Sequence, residues 1–312
     1  MKKTIALLYG GISSERAVSL NSGEQVYQAL DKQKYEIRRY DTKTDLPRLV
    51  AEAGEINAAL IILHGAYGED GTVQGMLELL DIPYQGAGVL GSSLAMNKLA
   101  AKQLYEQSGI PVPPYLAIHQ RDNLPPRRII DRIGLPLVVK PTVGGSSIGM
   151  SIVRKAEALP GALADAFAQD RSVIVESYIQ GTEITASVLG NDTLTALPLI
   201  EIIPSGKYEF FDYEAKYTAG ATQEICPARI DDALAQKAQT YAQMAHSALF
   251  CKGYSRTDMI LRGQDFFVLE TNTIPGMTRT SLFPQAAQAA GISFSQLLDR
   301  LIELGIQAHH QR

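Results

Sequence analysis

The 312-residue sequence has only two cysteines, and no apolar run approaches the ~20 residues that a membrane-spanning helix needs. Cys226 and Cys251 form no CxxC pair and show no paired His/Cys spacing, which excludes a disulfide scaffold and a zinc finger. The 29 basic and 33 acidic residues give a net charge of −4, so neither nucleic acid nor an anionic membrane is expected as the main partner. Together these absences predict a cytoplasmic protein.

The apolar fraction of 46% and the charged fraction of 20% are typical of a globular protein, and the length favours two or three domains. The opening Lys3–Tyr9 resembles the start of a signal peptide, but Gly10–Gly11 ends it too soon, so we interpret it as a buried strand. Tyr35–Tyr40 and Ala58–Leu63 are further strands, and helical segments alternate with them. We therefore expect a doubly wound parallel sheet over residues 1–96.

Two mixed α+β units are expected after this domain, one over residues 97–184 and one over residues 185–312. The polar stretch 204–223 shows no period and is typical of a binding loop or lid. The predicted strands are Leu135–Lys140, Ser151–Val153, Ser172–Tyr178, Glu183–Leu189, Thr193–Ile203, Tyr254–Leu261 and Phe266–Thr271, and the predicted helices are Met96–Ser108, Ala156–Ala168, Leu234–Leu249 and a terminal helix through Leu297–Ile302.

The last two strands predict a cluster of oxygen ligands. If they form a hairpin around the three-residue loop 263–265, Asp258 lies opposite Glu270 and Arg256 lies opposite Asn272 on the same face. Opposed carboxylates repel unless a cation lies between them, and the oxygens of Asp, Glu and Asn suit Mg²⁺. A bulge in the hairpin would spoil this register. The alternative interpretation is a solvated polar face with the arginine as its counter-ion.

A magnesium site predicts a phosphate-bearing ligand. The glycine-rich loop 143–149 can offer backbone N–H groups to phosphate, and Lys98 and Lys140 can add positive charge, although exposed solubilising lysines are the alternative. Gly86–Gly91 matches the GxGxxG dinucleotide pattern but lacks the acidic residue expected ~20 positions later, so we interpret it as a tight turn. The absence of a GxxxxGK[ST] sequence excludes a P-loop enzyme.

Six motif-like segments follow one another along the chain: Gly10–Glu15, His64–Gly71, Lys140–Met150, Asp212–Tyr217, Arg256–Asp258 and Glu270–Thr278. Together they closely resemble the D-alanine–D-alanine ligases of the ATP-grasp superfamily, and the resemblance covers the whole chain. It implies an ATP-grasp fold preceded by the parallel-sheet domain, with ATP between the sheets of the central and C-terminal domains. It also implies a homodimer.

The reaction implied by the resemblance joins two D-alanines at the expense of ATP, for peptidoglycan precursors. ATP phosphorylates the carboxylate of one D-alanine, and the amine of the second attacks the acyl phosphate. A carboxylate is a poor electrophile at neutral pH, and phosphorylation supplies a better leaving group in a site that excludes water. The cofactors implied are ATP and two Mg²⁺ ions, with Mn²⁺ as an alternative.

Carried over residue by residue, the resemblance also implies a role for each site residue. The metal ligands would be Asp258, Glu270 and Asn272. The ATP-binding set would be Lys98, Lys140 and Lys216 at the phosphates, Ser147 over the γ-phosphate, Glu176 and Ile179 at adenine, and Glu183 at the ribose. The catalytic and substrate-binding set would be Arg256 and Gly276 at the oxyanion, Glu15 with Ser146 and Tyr217 at the first ammonium group and the lid, His64 near the first substrate, and Ser281 with Leu282 at the second carboxylate.

Two positions depart from the family pattern. Phe211 stands where many relatives have tyrosine, and Arg279–Thr280 precede Ser281 where smaller or neutral residues are common. The resemblance also implies, from Tyr217 in the lid, a dipeptide product and not an ester with D-lactate. Three alternatives stay open: an ATP-grasp ligase for other amino or hydroxy acids, an NAD-dependent dehydrogenase that uses Gly86–Gly91, and a nucleotide-binding regulator without catalysis.

Overall fold

The computed structural model describes residues 2–122, 124–145, 148–204 and 222–311. The first sheet is parallel and has the order β2–β1–β3, where β1 is Lys3–Tyr9, β2 is Tyr35–Asp41 and β3 is Ala58–Ile61. Three helices connect or follow these strands: α1 (Arg16–Ala29), α2 (Leu46–Ala51) and α3 (Thr72–Leu79). The predicted parallel sheet at the start of the chain is confirmed.

Both faces of this sheet are covered, as the apolar sequence of β1 requires. Ile5 and Leu7 pack on the side of Val26 from α1. Ala6 and Leu8 face the other way and share a core with Leu49 of α2 and Leu77 of α3. Successive β1 residues thus belong to different cores, and polar side chains at the site gather beyond the strand ends.

Two helices connect the first sheet to the rest of the chain, α4 (Gly88–Met96) and α5 (Lys98–Gln107). The interpretation of Gly86–Gly91 as a turn is wrong in its second half, because α4 begins at Gly88. The first half does turn, with φ of 112° at Gly86 and 75° at Gly88. The side chain of Asn97 accepts hydrogen bonds from the N–H groups of Leu99 and Ala100, so it caps α5 and places Lys98 in the first turn.

The second sheet is antiparallel and has the order β4–β7–β5–β6. Its strands are β4 (Tyr115–His119), β5 (Leu137–Pro141), β6 (Ser151–Val153) and β7 (Ser172–Ser177), and the helices α6 (Pro126–Ile133) and α7 (Leu159–Phe167) pack on it. β4 and α6 are absent from the sequence-based prediction, which assigns no element between Ser108 and Leu135.

The third sheet contains the site hairpin. Its order is β11–β10–β8–β12–β13, with β9 paired to β8. The strands are β8 (Thr182–Leu189), β9 (Thr195–Ala196), β10 (Ile200–Pro204), β11 (Thr222–Ile225), β12 (Tyr254–Arg262) and β13 (Asp265–Asn272), and α8 (Asp232–Ala248) covers one face. The predicted single strand over Thr193–Ile203 is therefore two strands. The predicted domain limit after residue 184 falls inside β8, and the three-domain division stays a prediction.

The last helices return to the beginning of the chain. α9 (Leu282–Ala289) and α10 (Phe294–His310) share one core with β1 and α1. Gly305 of α10 lies so close to the backbone of Tyr84 that a Cβ atom there would be 2.6 Å from the Tyr84 carbonyl. Over the described ranges, no helix is long and apolar enough to cross a membrane.

Candidate active site

The site hairpin places four polar side chains on one face. β12 and β13 pair Arg256 with Asn272 and Asp258 with Glu270, as the sequence predicts. Because residues two apart along a strand point to the same side, these four side chains project together. The predicted cluster of oxygen ligands therefore has the required backbone geometry.

The hairpin reaches this register by a route that the sequence analysis did not predict. Arg262 pairs with Asp265, so the turn has two residues and the predicted three-residue loop is wrong. The register then shifts between Asp258 and Met259, which leaves Leu269 as an extra residue in β13. The extra residue in β13 compensates for the turn that is one residue shorter than predicted. The bulge therefore restores the pairing of Asp258 with Glu270, which a bulge was expected to disrupt.

Asp258 accepts hydrogen bonds from side chains of β8, β12 and β13. Arg256 donates to both oxygens of Asp258, from Nε at 2.8 Å and from Nη2 at 2.7 Å. Thr185 donates from its hydroxyl at 2.6 Å, and Asn272 donates from Nδ2 at 3.1 Å. These donors fix the carboxylate beside the opposed Glu270, whose Oε2 lies 3.8 Å from Nζ of Lys98.

The oxygens of this cluster fit a hard divalent cation. Among the described residues, no group of three or more His, Cys, Asp and Glu side chains is arranged to hold a metal ion. The predicted set has two carboxylates and one amide, which suits Mg²⁺, because that ion keeps water ligands and completes its shell with phosphate oxygens. Asp258, Glu270 and Asn272 are thus the residues that would hold it.

A cavity between the second and third sheets begins at this cluster. Its polar wall carries Lys98, Lys140, Glu176, Glu183 and Asp258, and the backbone of Gly144–Gly145 borders it. Its apolar wall includes Val138, Ile152, Ile179, Ile260 and Leu269. An apolar slot that ends in lysines, open glycine backbone and carboxylates suits a flat ring attached to phosphates.

Glu176 lies buried in this cavity between two lysines. Nζ of Lys140 is 2.6 Å from Oε1, and Nζ of Lys102 is 2.8 Å from Oε2. Burial alone would raise the pKa of Glu176, but the two ammonium groups hold that pKa below its usual value. Burial lowers the pKa of Lys102 to about 8, although Glu176 acts in the opposite direction.

A second, more polar pocket shares a wall with the first. Both are lined by Lys98, Gly144–Gly145 and Glu270. The second pocket adds Glu15, His64, Glu69, Arg256, Asn272 and Gly276. Groups from the first sheet thus meet the site hairpin at the point where the phosphate end of the first cavity opens.

Glu15 is enclosed by glycines from two parts of the chain. A Cβ atom on Gly65 would lie 2.8 Å from Oε2 of Glu15, and one on Gly145 would lie 3.1 Å from the same oxygen. Gly65 also has a φ of +71°, a conformation that L side chains rarely adopt. The carboxylate of Glu15 is therefore held between the first sheet and the glycine-rich loop.

Two titratable groups of this pocket have shifted pKa values. Burial lowers the pKa of His64, and its Nε2 is buried without a hydrogen-bond partner in the described ranges. Burial, followed by the charge of Glu15, raises the pKa of Glu69 to about 8, while the Gly65 N–H donates to Glu69 at 2.6 Å. Glu69 therefore holds its proton more tightly than an exposed carboxyl group does.

The segment after β13 forms the far side of this pocket. The hydroxyl of Ser281 accepts a hydrogen bond from the Thr278 N–H at 3.0 Å, and Leu282 begins α9. Gly276 packs so closely on Ser281 that a Cβ atom would lie 3.0 Å from its hydroxyl oxygen. The Arg279 guanidinium lies over the ring of Phe294, 5.5 Å from its centre.

The predicted site residues fall into three groups. Glu15, His64, Lys98, Lys140, Glu176, Ile179, Glu183, Arg256, Asp258, Glu270, Asn272 and Gly276 line the two adjoining pockets. Ser281 and Leu282 lie next to Gly276 but do not line either pocket. Ser146, Ser147, Phe211, Lys216 and Tyr217 lie outside the described residues. Sequence reasoning gave no role to Lys102 or Glu69, since the only available signal was their spacing from Lys98 and His64.

Comparisons with known proteins match nearly the whole length of the chain. A family model described as D-ala D-ala ligase N-terminus matches residues 4–47 and 38–87, and one described as D-ala D-ala ligase C-terminus matches residues 104–303. A D-alanine–D-alanine ligase of Syntrophobacter fumaroxidans is 62% identical over 306 residues, which is 98% of each chain. One of Desulfotalea psychrophila is 54% identical over 97% of this chain and 95% of its own.

Solved structures agree with these matches. The D-alanine–D-alanine ligase of Bacillus anthracis complexed with ATP has a TM-score of 0.86 and 37% identity, with 99% of each chain covered. The VanG D-Ala:D-Ser ligase of Enterococcus faecalis has a TM-score of 0.83 and 33% identity, covering 98% of this chain and 100% of its own.

Proposed function

Because the chain belongs to the D-alanine–D-alanine ligase family, we propose that it uses ATP to join two molecules of D-alanine into D-alanyl-D-alanine. The identity of 62% over nearly the whole chain supports this family activity. The structural observation that carries the proposal is the pairing of Asp258 with Glu270 next to Arg256, where the two pockets meet. Three alternative functions were left open by the sequence, and the family membership weighs against the dehydrogenase and the regulator.

ATP is proposed to occupy the first cavity with its base in the apolar slot. Glu176 and the backbone near Ile179 would recognise adenine, and Glu183 would bind the ribose. Lys98, Lys140 and the N–H groups of the glycine-rich loop would contact the phosphates. Mg²⁺ held by Asp258, Glu270 and Asn272 would supply positive charge at the β- and γ-phosphate oxygens when bound.

The first D-alanine is proposed to lie in the second pocket. Glu15 would bind its ammonium group, and His64 would border it. Its carboxylate would then face the shared wall, where transfer of the γ-phosphoryl group gives an acyl phosphate and ADP. The amine of the second D-alanine attacks the acyl carbon, its proton is lost, and phosphate leaves with the bonding electrons.

The chain's own groups would stabilise the second step. Arg256 is fixed by its two hydrogen bonds to Asp258, and together with the Gly276 N–H it would bind the oxygen that gains charge in the tetrahedral intermediate. Ser281, next to the start of α9, would bind the second carboxylate. A preorganised donor of this kind contributes mainly in the transition state.

The remaining expectations from the sequence stay predictions. They are the peptidoglycan precursor role of the product, a cytoplasmic location, a homodimer, and the closing of a lid that carries Tyr217. The similarity to a D-Ala:D-Ser ligase makes D-serine a specific second candidate for the acceptor.

A coupled assay of ADP release tests the proposal. ADP release should depend on D-alanine and be much slower with L-alanine or D-lactate, and mass spectrometry should detect D-alanyl-D-alanine. A second reaction contains D-serine and a low concentration of D-alanine. If the acceptor site prefers D-serine, mass spectrometry should detect D-alanyl-D-serine. ATP binding without any D-amino-acid-dependent ADP release would overturn the proposed activity.

A further inference from the structure

Lys102 is a fully buried lysine that the proposed reaction does not use. It lies on α5 one helical turn after Lys98, so both lysines point to the same side of the helix. Its exposed fraction is 0%, compared with 6% for Lys140 and 3% for Glu176. A lysine is rarely buried completely unless its charge has a specific role or partner.

The three buried groups have unequal charge. Lys102 and Lys140 bring two positive charges, and Glu176 brings one negative charge, with each lysine on its own carboxylate oxygen. The ring of Tyr115 on β4 lies 5.5 Å from Nζ of Lys102, and Glu106 is a further acidic neighbour on α5. Inside the cavity wall the triad therefore has an excess of one positive charge.

The three residues Lys102, Lys140 and Glu176 differ in whether they line the nucleotide cavity. Lys140 and Glu176 line the nucleotide cavity, and Lys102 does not. If Lys102 were absent, Glu176 would neutralise Lys140 as a closed ion pair, since their atoms are only 2.6 Å apart. Lys140 would then offer an anion in the cavity little net charge.

We propose that Lys102 is a positioning residue that balances the charge of Glu176 from behind, so that Lys140 keeps its net positive charge for the phosphates of the nucleotide. This rests on the proposed function, which puts a nucleotide in the cavity. Lys102 touches no substrate atom in this account and acts through Glu176. Its effect falls mainly on the phosphates, and any effect through Glu176 on adenine is shared by adenosine and ADP, so it cancels in the ratio of their Kd values.

The test measures binding of adenosine, AMP, ADP and ATP by calorimetry, without D-alanine. Lys102→Met has nearly the same length without the charge, and we expect it to weaken AMP, ADP and ATP by roughly tenfold or more while adenosine changes less than about twofold. Lys155→Met, an exposed lysine in the same part of the chain, is the matched control and should change nothing. An equal loss for adenosine and ADP, or no loss, would overturn the inference.

A compensating variant separates charge balance from packing. Lys102→Met with Glu176→Gln again has one positive charge, so the ratio of the adenosine Kd to the ADP Kd should return toward that of wild type. Packing damage would be the same or worse in the double variant and would give no such recovery. Failure of the ratio to recover therefore contradicts the inference.

A wild-type measurement serves if Lys102→Met does not fold. The groups that face Lys102 are Glu176 on β7, Lys140 on β5, Glu106 on its own helix and the Tyr115 ring on β4. Because burial lowers the pKa of Lys102 to about 8, the preference for ADP over adenosine should fall between pH 7.5 and 9.5. A constant preference over that range contradicts the inference, whereas failure of wild type to bind ATP at all contradicts the proposed function instead.

Discussion

The hydroxyl oxygens of Thr257 and Thr271 lie 3.0 Å apart on the face of the site hairpin opposite to its carboxylates. Tyr105 of α5 donates to Thr271 at 2.7 Å, and all three side chains are buried. Each threonine is the chain neighbour of site residues, Thr257 of Asp258 and Thr271 of Glu270. The hydrogen bonds among these three buried side chains therefore stabilise the register that places Asp258 opposite Glu270 on the other face.

We predict that Thr271→Val lowers the free energy of unfolding by about 1–3 kcal/mol, because it leaves the buried Tyr105 hydroxyl without its partner. Urea unfolding measures the loss. Thr240→Val, at an exposed position on α8, should change stability by less than about 0.5 kcal/mol. Combined with Tyr105→Phe, the valine variant should lose less than the sum of the single losses. Additive losses would show that the two groups do not interact.

Gly65→Ala should raise the KM for D-alanine by roughly tenfold or more and lower stability by about 1 kcal/mol or more, because the new methyl group meets Glu15 and the positive φ is strained. Steady-state kinetics with D-alanine as the varied substrate measures the change. Gly54→Ala is the matched control, since nothing lies within 4 Å of a Cβ atom there. Unchanged kinetics in Gly65→Ala would contradict the proposal that Glu15 binds D-alanine.

Glu270→Gln should abolish turnover, because an amide keeps the shape of the side chain but loses the charge that would face a bound cation. The loss should exceed a hundredfold in kcat/KM, equivalent to about 2.7 kcal/mol of transition-state stabilisation. Asp265→Asn removes an exposed carboxylate from the same strand and should leave activity intact. Titration with Mg²⁺ provides the second readout: near-normal activity and Mg²⁺ dependence in Glu270→Gln would refute the metal assignment.

Glu69 predicts a dependence of stability on pH. Its pKa is about 8 in the folded protein and well below that in the unfolded chain, so the folded state binds the extra proton between these values. The stabilisation that Glu69 contributes to the free energy of unfolding is complete at about pH 4. It is lost as the pH rises to 8, by up to about 1.4 kcal/mol per pH unit. Glu69→Gln should remove this slope in urea unfolding between pH 5 and 8. The exposed Glu303→Gln on α10 should keep it.

The site hairpin shows how far sequence reasoning reaches. Spacing and strand alternation predicted the opposed Asp258 and Glu270, because period two is a property of every strand. The same reasoning missed the two-residue turn and the extra Leu269, and these two errors cancelled at the site. A bulge depends on local hydrogen bonding and packing across the sheet, which spacing alone does not specify.

The missed elements have different physical reasons. The helix that begins at Gly88 contains glycine and serine, which have low helix propensity, so only its packing against the rest of the chain stabilises it. β4 directly follows three prolines, which favour a loop over a strand, so the sequence alone gives no signal for it. Lys102 and Glu69 look like surface residues in the sequence, because the burial of Lys102 and the partial burial of Glu69 depend on elements far away in the chain.

The contact between α10 and the first sheet has a consequence for folding during synthesis. β1 leaves the ribosome long before Leu297, Leu298 and Leu301 of α10, which belong to the core on one of its faces. A nascent chain therefore carries an uncovered apolar surface until α10 has been synthesised, although emerging domains usually fold as units. A chaperone that captures the nascent chain should bind this uncovered apolar face and be released when α10 packs on it.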